Sequence, residues 1–230
     1  MSTDVQQEVE RLGISRLCHF TPLRNLVHIT TGEGLLSTQI LNERERKEFT
    51  QQDLARWDGH PDHISCSIEY PNAWYYRRKL DDDDVFRTWV VLTIHPSHLG
   101  NDETLFCHRN ASAAYGTYIR TGIEGLRGLY ETPVVGAGNR TYERTPNHLA
   151  QCPTDNQAEV LVPRFIPIED VLTVAVPTDE QAAFVYTGLE QIGGAPERFS
   201  FTVVPEFFAP WSLKHAISGG MRPAERLWTP

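Results

Sequence analysis

The stretch CPTDNQAEVLVPRFIP, residues 152–167, decides how the rest of the sequence is interpreted. Its turn-forming cluster Pro-Thr-Asp-Asn precedes Gln157 and Glu159, and an apolar, β-branched run follows them. That order predicts a strand at about 159–166 with a carboxylate at its beginning. Because residues i and i+2 of a strand face the same side, Gln157 and Glu159 can look into one cleft.

Composition bounds the classes of protein that the sequence can encode. Of the 230 residues, 40% are hydrophobic and 22% are charged, which is typical of a globular protein. No internal repeat and no Ser/Gly linker is visible, which favours a single domain over residues 1–230. The net charge of −9 argues against a protein that coats nucleic acid through a broad basic surface, but it leaves room for a local basic groove.

Membrane insertion, secretion and metal binding find no support in the sequence. No apolar run approaches the roughly 20 residues that span a bilayer, and the N-terminal residues show neither a basic nor an apolar signal region. The four cysteines are widely scattered without a C-x-x-C pair, which is typical of reduced thiols rather than of a zinc site. We therefore predict a cytoplasmic protein without a membrane segment and without a metal.

Hydrophobic patterning predicts an α+β fold, that is, a mixed α/β fold. Thr21 as N-cap, Pro22 at the first helical position and Gly32 as a stop predict a helix. The almost wholly apolar residues 88–96 predict a central strand, and the tail from residue 211 is expected to be irregular or weakly helical. Further strands are predicted at about residues 63–71, 159–166, 170–176 and 199–207.

A long segment between two predicted strands carries few periodic signals. Residues 97–158 are rich in glycine and aromatic residues and too hydrophobic for simple disorder, and loops of this length are usually functional. We predict a partly helical, substrate-facing insertion that ends at Glu159. Its arginines make the region locally basic, and Arg140 and Arg144 are predicted to bind the substrate.

Three segments together carry a family resemblance. They are CHFTPLRNLVHITTGEGLLS (residues 18–37), HISCSIEYPNAWYYRRK (residues 63–79) and residues 152–167. In this order they resemble the DarT family of NAD-dependent ADP-ribosyltransferases, toxins that modify bases in nucleic acid, over most of residues 14–177. The resemblance implies an ADP-ribosyltransferase-like fold, in which central β-sheets form an NAD cleft with flanking helices.

The resemblance also implies roles for individual residues. Glu159 matches the catalytic glutamate of the family. The positions that match its NAD-binding residues are His19, Thr21, Asn25, Gly34, Leu35, Leu36 and Ser37. Thymidine-modifying members carry a catalytic arginine in the middle segment, where this sequence offers Arg77 and Arg78, and we assign Arg78 as the candidate. Because this segment is built differently, the modified base stays open between thymine and guanine.

Aromatic residues in the middle segment allow two interpretations. Tyr75 and Tyr76 can belong to the core, or they can form a stacking platform for an unpaired base, where each stack contributes about 1–3 kcal/mol. In the second interpretation these tyrosines bind the acceptor together with Gln157.

The chemistry explains a carboxylate at Glu159 independently of the resemblance. Cleavage of the nicotinamide–ribose bond develops positive charge on C1′, which a fixed carboxylate in a dry site stabilises, and the same group can accept a proton from a base nitrogen. The predicted function is the transfer of ADP-ribose from the co-substrate NAD to a base of single-stranded DNA. The alternatives are an RNA or protein acceptor, or a non-catalytic NAD-binding module. The resemblance further implies an antitoxin partner with a macrodomain or a related ADP-ribose hydrolase.

Overall fold

A nine-stranded sheet forms the centre of the computed structural model, which describes residues 3–44, 57–82, 88–135 and 140–230. The strands are β1 (Leu17–Pro22), β2 (Gly34–Leu36), β3 (His63–Ile68), β4 (Trp89–Ile94), β5 (Leu105–Cys107), β6 (Ile119–Thr121), β7 (Val134–Val135), β8 (Thr141–Tyr142), β9 (Glu159–Pro163), β10 (Phe165–Pro167), β11 (Val171–Val176), β12 (Ser200–Val203) and β13 (Arg226–Trp228). The helices are α1 (Thr3–Leu12), α2 (Leu23–Thr31), α3 (Thr38–Glu43), α4 (Ala73–Asp82), α5 (Gly122–Gly128), α6 (Asp179–Gln191) and α7 (Pro210–Ser218). The strand order is β13-β12-β11-β4-β1-β3-β9-β5-β6, and two small ribbons pair β2 with β10 and β7 with β8.

The predicted central strand is β4. All six of its residues are buried, and it pairs antiparallel with β1 on one side and with β11 on the other. A strand covered on both faces needs apolar side chains on both faces, which explains the continuous apolar run. Among the described strands, β11 and β12 form the only parallel pair, so the sheet is mixed and the predicted fold class is confirmed.

Helix α2 begins slightly later than predicted. Pro22 is the N-cap rather than the first helical residue, and Thr21 does not cap the helix. Both residues still belong to β1 and pair with β4, so the backbone becomes helical only at residue 23. The predicted stop is confirmed, since Gly32 is the C-cap.

Residues 97–158 contain more regular structure than the sequence predicts. Strands β5 and β6 extend the central sheet beyond β9, α5 follows directly, and β7 and β8 form a hairpin. These strands have two or three residues each, too few to produce a readable period. The segment therefore helps to build the sheet that carries Glu159 instead of standing apart from it as a loop.

The C-terminal part also differs from the prediction. The strand expected over residues 199–207 is limited to Ser200–Val203, because Pro205 begins a short 3-10 turn. The tail forms α7 and then β13, which pairs antiparallel with β12. The Trp228 ring packs edge-on against Phe201, with ring centroids 6.0 Å apart, so the tail covers that end of the sheet.

Two negative expectations concern membranes and cysteines. The longest described helix, α6, has 13 residues, and no helix in the described ranges is long and apolar enough to cross a bilayer. The four cysteines are all free and buried, in agreement with the reduced thiols expected from their scattered positions.

Candidate active site

A cleft opens where β1, β3 and the beginning of β9 meet helices α2 and α4. The space between its walls is about 1040 Å³ up to the open mouth, and a smaller cavity of about 480 Å³ shares part of the same wall. His19, Thr21 and Asn25 line both spaces.

All seven residues predicted to bind NAD lie in these walls. His19 and Thr21 are two residues apart on β1 and share a face, and Asn25 lies in the first part of α2. The others lie on β2 and immediately after it, at Gly34, Leu35, Leu36 and Ser37. The predicted set is therefore brought together in space, while the role of each residue in NAD binding stays a prediction.

His19 is held as a neutral imidazole. Its Nδ1 lies 2.9 Å from the carbonyl oxygen of Ser65, so Nδ1 carries the proton and donates it to that oxygen. Burial lowers the pKa of His19, and the hydrogen bond to the Ser65 carbonyl opposes this change. In this tautomer Nε2 is an acceptor, which suits a hydroxyl or amide donor of a ligand in the cleft.

The turn into β2 requires glycine at position 34. Its φ is +135°, and a Cβ at Gly34 would lie 2.2 Å from the carbonyl oxygen of Ile166 on β10. Backbone atoms cannot give way as a flexible side chain does, so a larger residue would separate β2 from β10. The close approach fixes Leu36 and Ser37 in the cleft wall, where Ser37 is also the N-cap of α3.

Glu159 is the first residue of β9 and lines the larger cavity. Both carboxylate oxygens are held by neutral donors. Oε1 accepts a hydrogen bond from Asn110 Nδ2 at 2.8 Å, and Oε2 accepts one from the Ala111 backbone N–H at 3.1 Å. These bonds fix the position of the group and do not cancel its charge. Burial, with the Glu159 charge as a smaller cause, raises the pKa of the neighbouring Cys107 to about 11, so that thiol stays protonated.

Gln157 is not among the described residues that line the two cavities. It lies in the turn before β9, where its backbone N–H donates to the Asp155 carboxylate at 2.9 Å. Because β9 begins only at Glu159, the i and i+2 rule of a strand does not apply across the turn and does not support a shared face. A role of Gln157 in binding the acceptor stays a prediction.

Helix α4 divides the aromatic residues of the middle segment between two environments. Tyr75 and Arg78 line the cleft, and the Arg78 guanidinium lies 5.7 Å from the Tyr75 ring centroid. Tyr76 stacks on Phe20 at 5.2 Å and meets Phe208 edge-on at 5.3 Å. The structure therefore places Tyr75 where a ligand can reach it, whereas Tyr76 packs against other aromatic side chains, as the core interpretation predicts.

The basic region predicted within residues 97–158 is largely occupied by internal contacts. Arg144 donates to the carbonyl oxygens of Cys152 at 2.6 Å and Leu149 at 3.0 Å, and it packs over Tyr130. Burial is the main reason why the pKa of the Arg144 guanidinium is lowered. Arg140 is exposed, but neither arginine is among the described residues lining the cleft. Sequence cannot distinguish an arginine that faces solvent from one that closes a loop on backbone carbonyls.

Several polar cleft residues were missed by the sequence analysis. Asn110 holds Glu159 directly, and Asp58, Asn72 and Ser112 are among the others that line the larger cavity. Asn72 carries a readable signal, since asparagine one residue before a helical run is a typical N-cap. Asn110 carries none, because its role depends on the pairing of β5 with β9, which brings residues 49 positions apart into contact.

One group of potential metal ligands occurs in the described ranges, made of His60, Asp62 and His63. His63 has both ring nitrogens engaged, Nδ1 with the Asp62 carboxylate at 2.8 Å and Nε2 with the Glu103 carbonyl oxygen at 3.1 Å. A metal would need one of these nitrogens unprotonated and released, so the contacts favour a hydrogen-bonded pair over an ion site.

The mixed sheet, and a cleft lined both by His19 and by a carboxylate held at the start of a strand, are the features expected of an ADP-ribosyltransferase. Residues 18–208 match the family model described as "ssDNA thymidine ADP-ribosyltransferase, DarT". The chain belongs to the DarT family. This membership confirms the predicted family and the enzyme class.

Solved structures of the family share the fold at low sequence identity. Thermus sp. 2.9 DarT in complex with NAD+ matches with a TM-score of 0.58 and 15% identity over 84% of this chain and 97% of that one. The same protein in complex with ADP-ribosylated ssDNA matches with a TM-score of 0.57 and 14% identity over 85% and 97%. Thermosipho africanus DarTG in complex with ADP-ribose matches with a TM-score of 0.57 and 13% identity over 84% of this chain, which spans only 51% of the Thermosipho chain. A comparison with curated proteins gives no match.

Proposed function

We propose that this chain transfers ADP-ribose from NAD to a base of single-stranded DNA and releases nicotinamide. The observation that carries the proposal is the Glu159 carboxylate, which Asn110 and Ala111 hold in the cleft that also contains the residues matching the NAD positions of the family. The two substrates are supported by the Thermus DarT complexes, one with NAD+ and one with ADP-ribosylated ssDNA.

In this proposal the residues of the chain divide the chemistry between them. His19 and the walls around Gly34 and Ser37 hold NAD so that its ribose C1′ faces Glu159. The carboxylate stabilises the positive charge that develops on C1′ as nicotinamide leaves, and its fixed position means that no reorganisation is needed at that moment. Glu159 then accepts the proton that the base nitrogen loses when it bonds to C1′.

The acceptor strand would approach past α4 and past a pair of exposed aromatic rings. Trp57 is 60% exposed and Tyr115 is 79% exposed, and their ring centroids are 6.1 Å apart. Asp58 and Ser112, close to them in the chain, line the cleft. Unpaired bases stack on such rings whatever their sequence, and Arg78 at the cleft offers a positive charge for a phosphate. This surface takes over the role that the sequence assigned to Arg140 and Arg144.

The biological setting follows the same family. We propose a toxin whose partner is an antitoxin that removes ADP-ribose, with a macrodomain or a related hydrolase, and the structure of Thermosipho africanus DarTG supports such a pair. A single catalytic domain over residues 1–230, acting in the cytoplasm, is part of this proposal. The modified base is thymine or guanine.

The test is incubation of the protein with NAD and a panel of short oligonucleotides, followed by mass spectrometry of the released nucleosides. We expect an ADP-ribosylated nucleoside from single-stranded DNA, little product from a duplex, and none with Glu159→Gln. Modification of RNA or protein alone would replace the acceptor in the proposal. Binding of NAD with neither transfer nor hydrolysis would leave a non-catalytic binding module.

A further inference from the structure

Asn72 lies in the cleft wall and carries a buried hydrogen-bond donor that no described residue accepts. The residue is 6% exposed, it lines the larger cavity together with Glu159, and its Nδ2 has no hydrogen-bond partner within the described residues. A buried donor left unsatisfied destabilises a folded protein, so such groups call for a specific explanation.

The orientation of the Asn72 amide is fixed by its neighbours. Asn72 precedes α4, and its Oδ1 accepts a hydrogen bond from the backbone N–H of Tyr75 at 3.1 Å. Rotation of the amide by 180° would set the NH₂ group against that N–H donor. The Asn72 backbone N–H in turn donates to Ser67 Oγ at 3.2 Å, which ties the residue to β3. The oxygen therefore caps the helix, and the NH₂ group is left for another partner.

We infer that Asn72 Nδ2 donates a hydrogen bond to an oxygen of a bound substrate and so determines which substrate the cleft accepts. This inference rests on the proposed function, because it takes the cleft as the place where NAD and a nucleobase meet. The oxygen belongs either to the nicotinamide–ribose part of NAD or to the exocyclic carbonyl of the acceptor base. In the second case Asn72 favours bases with a carbonyl at that position over bases with an amino group there, since an amino group cannot accept the bond.

Two substitutions remove the donor and keep the helix cap. Asn72→Asp retains an oxygen that faces Tyr75 N–H and puts a second oxygen where the NH₂ group was. Asn72→Ser also caps a helix and is uncharged, so it remains informative if a buried carboxylate impairs folding. We expect transfer, measured as kcat/KM, to fall about 3- to 10-fold in Asn72→Ser, as for the loss of one hydrogen bond between uncharged groups, and further in Asn72→Asp.

The matched control is Asn101, an exposed asparagine whose Oδ1 accepts from the Glu103 backbone N–H at 2.9 Å. Asn101→Asp and Asn101→Ser make the same chemical changes at another asparagine whose side chain accepts from a nearby backbone N–H, away from the described residues that line the cleft. We expect transfer by both control variants to stay within about twofold of the unaltered protein, as for surface substitutions.

Three measurements show whether the oxygen that accepts from Asn72 Nδ2 belongs to NAD or to the acceptor base. NAD affinity by calorimetry and acceptor-free NAD hydrolysis fall in both Asn72 variants if the oxygen belongs to NAD. If the oxygen belongs to the base, NAD affinity and NAD hydrolysis stay unchanged in both variants, and the KM for the oligonucleotide rises. In that case the unaltered protein discriminates against an oligonucleotide with 5-methylcytosine in place of thymine, or 2,6-diaminopurine in place of guanine, and Asn72→Ser discriminates less.

The inference is overturned if NAD affinity, hydrolysis, transfer and base discrimination all stay within about twofold in both Asn72 variants. Its failure is distinguishable from failure of the proposed function. If the unaltered protein modifies no DNA, the proposed function fails, but the NAD affinity and hydrolysis of the Asn72 variants still decide whether the donor binds NAD.

Discussion

Replacement of Glu159 by glutamine removes one charge from the cleft and nearly preserves the shape of the side chain. The carboxylate accepts from two donors, Asn110 Nδ2 and the Ala111 backbone N–H. A glutamine oxygen can satisfy only one of them, and its NH₂ group then faces the other. Asn110 cannot rotate its amide to compensate without losing the bond that its Oδ1 accepts from the Ser112 backbone N–H at 3.2 Å.

These contacts separate the structural cost of Glu159→Gln from its catalytic cost. Loss of one hydrogen bond destabilises the fold by about 1 kcal/mol, which lowers the melting temperature of a chain of this size by about 2–4 °C. Loss of the charge that stabilises the transition state lowers the rate of transfer by at least about 100-fold. The variant should therefore fold and bind NAD, and it should hardly turn over.

The assay is single-turnover transfer to a single-stranded oligonucleotide, with NAD affinity measured separately by calorimetry. Glu69→Gln is the matched control, because Glu69 is buried and accepts bonds from the Ser15 backbone N–H and hydroxyl without being among the described residues of the cleft. It should lower the melting temperature and leave the rate per folded molecule unchanged. Transfer by Glu159→Gln within about tenfold of the unaltered rate would refute the assignment of the carboxylate and the mechanism built on it.

Four further outcomes test the site. His19→Ala should weaken NAD binding in calorimetry while oligonucleotide binding persists; the reverse result would mean that the two sites are exchanged. Arg78→Gln should raise the KM for the oligonucleotide and make the log–log salt dependence of binding shallower by about 0.7, the value for one phosphate contact on a single strand, whereas Arg144→Gln should lower the melting temperature and leave that slope intact. Gly34→Ala should lower both NAD affinity and melting temperature, because the added Cβ meets backbone atoms; an unchanged affinity would remove β2 from the NAD site. Burial lowers the pKa of His148 from 6.5 to about 4. Between these two pH values the unfolded chain binds a proton at His148 that the folded protein does not bind. The free energy of unfolding should therefore fall as the pH falls from about 6.5 to about 4. His148→Gln should flatten that part of the curve of melting temperature against pH, and an unflattened curve would assign the acid sensitivity to other groups.

The sequence predicts best where one local pattern determines the structure. The apolar run of β4 and the glycine stop of α2 need no information from distant residues, and both are observed. The seven residues predicted to bind NAD are nearly continuous in the chain, from His19 to Ser37, so a family resemblance over a short segment is enough to name residues that lie together in the cleft walls.

The sequence predicts poorly where a role depends on pairing between distant segments. β13 is short, and its pattern of exposed residues gives no signal until β12 lies beside it. The sequence suggests that Arg144 binds phosphate, yet its guanidinium donates hydrogen bonds to carbonyl groups of its own loop. Gln157 shows a different limit, because β9 begins only at Glu159 and the rule for the faces of a strand does not extend to a residue in the preceding turn.

The strand order has a consequence for the timing of activity during synthesis. β9 lies between β3 and β5, so within the central sheet the early strands β4, β1 and β3 are joined to β5 and β6 only through a strand that is made later. A nascent chain that has emerged only as far as α5 already contains every residue matched to NAD, but it lacks the strand that carries Glu159 and joins the two halves of the cleft. Assembly through such distant contacts is slow compared with local folding. A nascent chain that stops before β9 therefore lacks the carboxylate that we assign to catalysis, and we expect such a fragment to transfer no ADP-ribose.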